Sequence, residues 1–290
     1  MSPAGSATAA AIGDERPFRP LQVDERAVRR PSEGAGNRGN EPTRTGGGGL
    51  ARPGGPIPLD RLDNDLAGWL ERTLVRPGLL APEAFERVFV ALVESAAADP
   101  DAAWEAFYRN TLDRLAAGGG VPGGTIAEFA PVHDTAAALV RGRRVVELGS
   151  CFGFLSLRLA RARHEVIAVD LVPGTAALLR RIATRLGLAV TAVAGDAVHP
   201  PLAASSADTV LAVHLLEHLP PEAGDRVIAQ MQRIARRRAV VAVPFEDEPN
   251  PAWGHVRTFD LAALQELGAR TGWPFRVFEH HGGWLVLDKP

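Results

Sequence analysis

The chain has 290 residues, of which 46% are hydrophobic, with a formal net charge of -2 at pH 7 and a single cysteine. That length allows one large domain or two of ~100 to 200 residues. The near-neutral balance disfavours a long nucleic acid or an anionic membrane as partner, and one thiol excludes a disulfide framework and a thiolate-rich metal site. No segment supplies the ~20 consecutive apolar residues that cross a bilayer, and the start has no apolar stretch behind a basic one, so a soluble, cytoplasmic protein without export is expected.

Residues 1–57 are rich in Pro, Gly, Ser and Arg with hardly any aliphatic periodicity. Such a segment cannot bury enough apolar surface to offset its ordering entropy and predicts a disordered tail. Residues 58–120 change character. Leu62, Leu66, Trp69, Leu70 and Leu74 fall at three- and four-residue steps, which predicts a helix closed by Pro77. A second helix starts near Pro82 and Glu83 with Phe85, Val88, Phe89, Leu92 and Val93 on its apolar side. A third runs from Asp101, as N-cap, through Trp104, Phe107, Tyr108, Leu112 and Leu115 to the glycines at 118–120. This helical unit would either cover a flank of the C-terminal domain or act as a lid.

Residues 121–290 read as an α/β domain. The latter half of the stretch from Ile126 to Val140 reads as a helix that precedes strands at 144–148, 166–170, 190–194, 208–213 and 238–243, with helices at 153–162, 173–186, 222–235 and 260–271 between and after them. Alternation of this kind predicts a mostly parallel, Rossmann-like sheet covered on both faces. The last two strands, 275–279 and 283–288, predict an antiparallel edge hairpin. The basic run Arg236-Arg-Arg238 reads as a solvated helix end whose cations complement the dipole.

The most informative stretch is Val145-Val-Glu-Leu-Gly-Ser-Cys-Phe-Gly-Phe-Leu155 followed by Val166-Ile-Ala-Val-Asp170: strand, glycine turn, helix, and a second strand ending in a carboxylate. It is the layout of a nucleoside-cofactor site at the C-terminal edge of an open sheet. A Gly-x-Gly-x-x-Gly triplet for a pyrophosphate is lacking. The segment resembles motif I of class I S-adenosylmethionine-dependent methyltransferases, with Glu147, Gly149 and Gly153 in register and Cys151 where a glycine is usual. Asp170, Gly195-Asp196, the stretch Asp208 to Pro220 and the strand before Pro244 match further family positions, so the resemblance spans roughly residues 125 to 290. It implies S-adenosylmethionine as cofactor, with Glu147, Gly149, Ser150, Cys151 and Gly153 near its methionine end, Asp170 on the ribose hydroxyls, Leu171 against adenine, and Asp196 with Ala197 by the exocyclic amine. Cys151 reads as a small loop residue, not as a nucleophile.

Beyond the cofactor, His214, Glu217 and His218 fall on one face if their stretch is helical, and with His255 they offer donors for a divalent cation or a base against an acceptor hydroxyl. Our reading requires no metal: His214 or His255 takes the hydroxyl proton. The polar segment from Pro244 to Asp260 follows the fifth strand on the active-site rim and supplies Glu246, Asp247, Glu248, His255 and Arg257 for a polar acceptor. Gly149-Ser-Cys-Phe-Gly-Phe-Leu155 together with the front helices and Gly254-His-Val-Arg-Thr-Phe-Asp260 is similar to the methyltransferases associated with mycofactocin biosynthesis. That resemblance implies O-methylation of an oligosaccharide, and more broadly a small-molecule or glycan acceptor. An RNA or protein methyltransferase, or a non-catalytic S-adenosylmethionine-binding partner protein, are the alternatives.

Overall fold

The computed structural model describes residues 57–251 and 253–290. The tail expected over residues 1–57 lies outside the described residues except for Ile57. Among those described, seven strands form one sheet in the order β3-β2-β1-β4-β5-β7-β6. These are β1 (Arg144–Leu148), β2 (Glu165–Asp170), β3 (Val190–Ala194), β4 (Ala207–Val213), β5 (Ala235–Val243), β6 (Phe275–Glu279) and β7 (Gly283–Asp288). Strands β1 to β5 run parallel; β7 lies antiparallel to β5 and to β6. The strand order reverses between β1 and β4, which is where an open α/β sheet leaves a crevice for a ligand.

The parallel strands are unbroken apolar runs because helices cover both faces: Val145, Val146, Leu148, Val210, Leu211, Val240 and Val241 are all buried. The covering helices are α4 (Thr125–Leu139), α5 (Phe154–Arg161), α6 (Pro173–Arg185), α7 (Pro221–Ile234) and α8 (Leu261–Arg270). The Rossmann-like sheet with an antiparallel C-terminal hairpin is as the sequence predicts. Two bounds differ. Helix α4 extends through the whole of its segment despite Pro131, and β5 begins at Ala235, so the Arg236-Arg-Arg238 run is strand rather than helix end. There Arg238 is buried and holds Asp288 of β7 through Nε and Nη2, at 2.8 and 3.0 Å.

In front of the sheet, α1 (Asp65–Leu70) continues into a π turn (Glu71–Val75), followed by α2 (Phe85–Glu94) and α3 (Pro100–Ala117). Leu62 precedes the first helix rather than belonging to it. The cap of α3 is Asp99, whose side chain accepts from Asp101 N, because Pro100 has no N–H and fits the first helical position; Asp101 stands in the first turn. Gly118 ends α3 in the left-handed conformation, as expected of a glycine stop. Buried Leu62, Leu66, Phe89, Trp104, Phe107 and Leu112 share one core with Phe154 and Leu157 of α5 and Leu179 and Ile182 of α6. Arg114 of α3 ion-pairs with Asp63 and with Asp65, and Asp65 accepts from Ile126 N at 2.9 Å, tying α1, α3 and α4 together.

The crevice is fixed from below. Asp208 accepts from Arg143 N and Arg144 N at 2.9 and 3.0 Å, while Thr209 Oγ1 accepts from Arg141 N and donates to Arg141 O. The start of β4 thus sets the entry of β1 into the sheet. The hydrogen bonds from Arg144 and Arg143 hold the Asp208 carboxyl below its usual value, so its contribution is present above the unfolded pKa and lost as pH falls through the folded one. Asp208→Ala should cost about 1–3 kcal/mol in urea unfolding at pH 7, with the deficit shrinking in acid; an equal deficit at pH 3 would contradict this account.

Candidate functional site

Two groups of side chains line the C-terminal edge of the sheet, one on either side of the β1/β4 switch. The first lies on β1, β2 and β3. Gly149 N and Ser150 N both donate to Val169 O, at 2.8 and 3.0 Å, and so fold the loop after β1 over the end of β2. Cys151 N donates to Asp170 Oδ2 at 2.7 Å, and Val172 N to Asp170 Oδ1 at 3.0 Å. Each carboxylate oxygen has two acceptor sites, so both retain capacity for a diol. Gly195 N donates to Asp170 O at 2.8 Å and sets Asp196 beside it at the end of β3. Sequence positions 147–153, 170 and 196 therefore converge.

The turns depend on backbone that only some residues adopt. Gly153 caps α5 at φ +72°, and a Cβ there would lie 2.4 Å from Leu179 Cδ2. Cys151 holds φ +47° without being glycine, a conformation costing roughly 1–2 kcal/mol that its hydrogen bond to Asp170 offsets. Cys151 is exposed at the loop surface; the protein crowded around the loop, and then the Asp170 carboxylate, raise its thiol above the ordinary value, which fits a loop residue. Leu171 is 63% exposed next to Asp170, and Ala197 is half-buried next to exposed Asp196. Asp196 Oδ1 accepts from Val198 N at 2.8 Å, a turn of its own making.

Helix α2 closes over this half. Phe89 packs on Phe152 at 5.6 Å between ring centroids, and Tyr108 of α3 packs on Phe154 at 5.1 Å. Burial, and then the Asp170 carboxylate, raise the pKa of Glu86 on the same helix. The sequence does not single out Glu86, which reads there as one charged position on an amphipathic helix. The Tyr108 hydroxyl is buried in the same region without a hydrogen-bond partner among the described residues.

The second group follows β4 and β5. The stretch after β4 is not one helix: His214 sits at φ +52°, and only Leu216–His218 form a 3₁₀ turn. The common face expected for His214, Glu217 and His218 is accordingly replaced by a different grouping. Glu217, His218 and His255 each present a potential metal-ligand atom within 4.8 Å of the others. His214 instead faces Phe129 of α4, at 5.1 Å, and its Nδ1 stands 3.5 Å from Glu217 Oε1 without forming a hydrogen bond. Burial, and then His255 and His218, bring the His214 ring down to about 4. Burial likewise pushes the Glu217 carboxyl up to about 8.

His255 reaches this place because its loop is stitched to the 3₁₀ turn. Val256 N donates to Glu217 O at 2.8 Å, and Arg257 Nε to Leu216 O at 3.0 Å, with the guanidinium 4.4 Å over the Phe259 ring. His255 Nδ1 lies 2.6 Å from Glu246 Oε2, and its ring meets His218 edge-on at 4.8 Å. A carboxylate on one ring nitrogen orients the imidazole and leaves Nε2 for a ligand or a proton. Trp253 of the same loop packs edge-on against Phe85 of α2 at 5.5 Å.

Between the two groups lies Glu147 at the end of β1, buried and hydrogen-bonded by Ser156 Oγ. Burial pushes its carboxyl up to about 7, against the hydrogen bonds from Ser156, and Asp170 adds to the rise. A folded pKa above the unfolded value makes this group's contribution full below about 4.5 and lost as pH rises through 7. Between pH 4 and pH 8 the loss is on the order of 3 kcal/mol. Glu147→Gln cannot ionise, so its urea stability relative to the parent should improve from pH 4 to pH 8; a parallel pH dependence for the two proteins would exclude a buried, late-titrating Glu147.

The sequence model of a methyltransferase domain matches residues 145–238, the span from β1 into β5 that carries the first group and the turn after β4. A search of curated proteins finds no match. Among solved structures, an S-adenosylmethionine-dependent methyltransferase from Aquifex aeolicus is similar at 16% identity and a TM-score of 0.43, over 53% of this chain and 85% of that one. Magnesium protoporphyrin IX methyltransferase from Synechocystis, solved with S-adenosylhomocysteine, is similar at 16% identity and a TM-score of 0.45, over 62% and 92%. Residues 145–238 thus resemble a methyltransferase domain, and the sheet that carries them is a Rossmann-like class I methyltransferase fold; an enzyme that uses S-adenosylmethionine is what that resemblance points to.

Proposed function

We propose that the protein transfers the methyl group of S-adenosylmethionine to a hydroxyl of a polar small molecule or glycan, the mycofactocin oligosaccharide being the acceptor to which the motif resemblance points. The observation that carries this reading is the His255–Glu246 pair at 2.6 Å, set on the rim after β5 beside His218 and Glu217. A methyl sulfonium needs an attacking oxygen relieved of its proton, and an imidazole backed by a carboxylate governs that proton. Half-buried Trp253 and the exposed acids Asp247 and Glu248 in the same loop suit a hydroxyl-rich partner, through an aromatic face and hydrogen-bond acceptors. His214 is the other candidate for the proton, but it faces α4, and its burial favours the neutral ring.

On the cofactor side the reading assigns the ribose diol to Asp170, adenine to the neighbourhood of Leu171, Asp196 and Ala197, and the methionine end to Glu147, Gly149, Ser150, Cys151 and Gly153. Both Asp170 oxygens already hold backbone N–H groups, so its loss removes the ribose acceptor and releases the loop. Calorimetry should find S-adenosylmethionine binding weakened by at least ~1.5 kcal/mol, roughly tenfold, in Asp170→Ala; unchanged affinity would refute the assignment.

The acceptor is tested by incubating the protein with methyl-labelled cofactor and extract fractions separated into glycans, small metabolites, RNA and protein. Label is expected in a glycan or small polar metabolite, in an alkali-stable ether. Label confined to RNA or protein would replace the acceptor class, and cofactor binding with no transfer to any fraction would support a non-catalytic binding protein. With the labelled acceptor in hand, His255→Ala should lower turnover by ~10²–10⁴ with cofactor affinity little changed, and His214→Ala by less; the reverse ranking would move the proton to His214.

A further inference from the structure

The buried carboxylate of Glu217 has no part in the methyl transfer proposed for His255. It is 0% exposed, and neither oxygen has a hydrogen-bond partner among the described residues. A buried acceptor left unsatisfied is costly, and His214 Nδ1, 3.5 Å from Glu217 Oε1, makes no hydrogen bond to it, so a ligand on these oxygens would satisfy them. The surroundings specify which. His218 and His255 bring ring nitrogens within 4.8 Å of a Glu217 oxygen. Glu246 occupies His255 Nδ1 and leaves Nε2 as the nitrogen free for a ligand. Arg257, the nearby cation, spends its Nε on Leu216 O and its face on Phe259.

We propose that Glu217, His218 and His255 bind a first-row divalent transition-metal cation, with Glu246 positioning His255 from behind. The donor set is two imidazoles and one carboxylate, which suits zinc, manganese or cobalt over magnesium or calcium. Donor atoms around such an ion stand about 3.4 Å apart, so the side chains need close by only an ångström or so. Because the ligands come from the 3₁₀ turn and the loop after β5, which Val256 N and Arg257 Nε already join, the frame is assembled before an ion arrives. With an ion bound, His255 would act as its ligand rather than as the base, and the remaining positions on the ion would face the rim and take the acceptor hydroxyl, whose proton would be lost more readily to solvent because its oxygen is on a cation. This mechanistic part rests on the O-methylation reading. The site itself does not, and here the inference departs from the sequence expectation that no metal is needed.

The test uses the full chain, stripped of metal with a chelator and titrated with Co²⁺, whose visible absorption reports nitrogen and oxygen ligation. One saturating equivalent per chain is expected, displaced by Zn²⁺. Glu217→Gln and His255→Ala should weaken binding at least tenfold while circular dichroism and S-adenosylmethionine binding persist. Glu246→Gln, which removes the support from His255 Nδ1, should weaken it by about 10- to 100-fold. His218→Asn, altered at the exposed end of the cluster, supplies a ligand variant least able to disturb folding. A parent protein with no saturable spectrum overturns the proposal, as does undiminished Co²⁺ binding in the Glu217 and His218 variants. Full methyl transfer by chelator-treated, cobalt-free protein would remove the catalytic part of the inference and leave the function reading standing. Metal binding with no transfer to any hydroxyl would do the opposite.

Discussion

The two hydrogen bonds that Asp170 accepts from Cys151 N and Val172 N are the constraint on which the cofactor half depends. The first binds the loop after β1 to the end of β2, across the strand pair whose register places Leu148 beside Val169, and the second fixes the turn after β2. Gly149 N and Ser150 N add two more bonds to Val169 O. A loop held at three points starts α5 in a fixed direction, so this edge of the sheet is set before a ligand arrives. Asp170 holds the frame through both carboxylate oxygens and is also the ribose acceptor in the proposed reading, so a change at the end of β2 would be felt twice.

The acceptor half is held by a similar device with different parts. Strand β4 hands over to His214, whose N–H still donates to Ala242 O at 2.9 Å, and the chain then turns through the left-handed conformation into the Leu216–His218 turn. That turn presents its carbonyls to the loop after β5, through Val256 N and Arg257 Nε. Gly149 joins the halves: a Cβ there would lie 2.7 Å from Leu215 Cδ1, so the cofactor loop and the turn after β4 are in contact where glycine leaves room. Loss of packing at Leu215 would therefore be felt on both sides.

The sequence discloses those parts of this arrangement whose signals are local. Strand ends, the glycine turn and Asp170 are legible because parallel strands buried on both faces write themselves as apolar runs, and motif positions lie at fixed offsets from those runs. The cap of α3 falls two residues before the one expected because Asp99-Pro-Asp101 offers two aspartates, and only the proline between them decides which one lies outside the helix. Grouping His214 with Glu217 and His218 assumes 3.6-residue periodicity, which a left-handed residue followed by a 3₁₀ turn does not obey. Glu246 gains its partner from nine residues away through a loop with no periodicity at all, and Glu86 approaches Asp170 from a helix far earlier in the chain. Pairings of that kind have no local signature.

The front helices connect the two halves in a way that bears on closure. Phe85 and Phe89 lie on one face of α2; Phe85 meets Trp253 of the acceptor loop, and Phe89 meets Phe152 of the cofactor loop. Trp104, Phe107 and Tyr108 extend the same cluster down α3 onto Phe152 and Phe154. Aromatic contacts of this geometry each add ~0.5–1.5 kcal/mol beyond area burial, so α2 is anchored firmly over Phe152 by several rings and only lightly at Trp253 by one. Any opening of the helical cover would therefore hinge at the Phe152 side and part first at the single Phe85–Trp253 contact, where α2 meets the loop after β5.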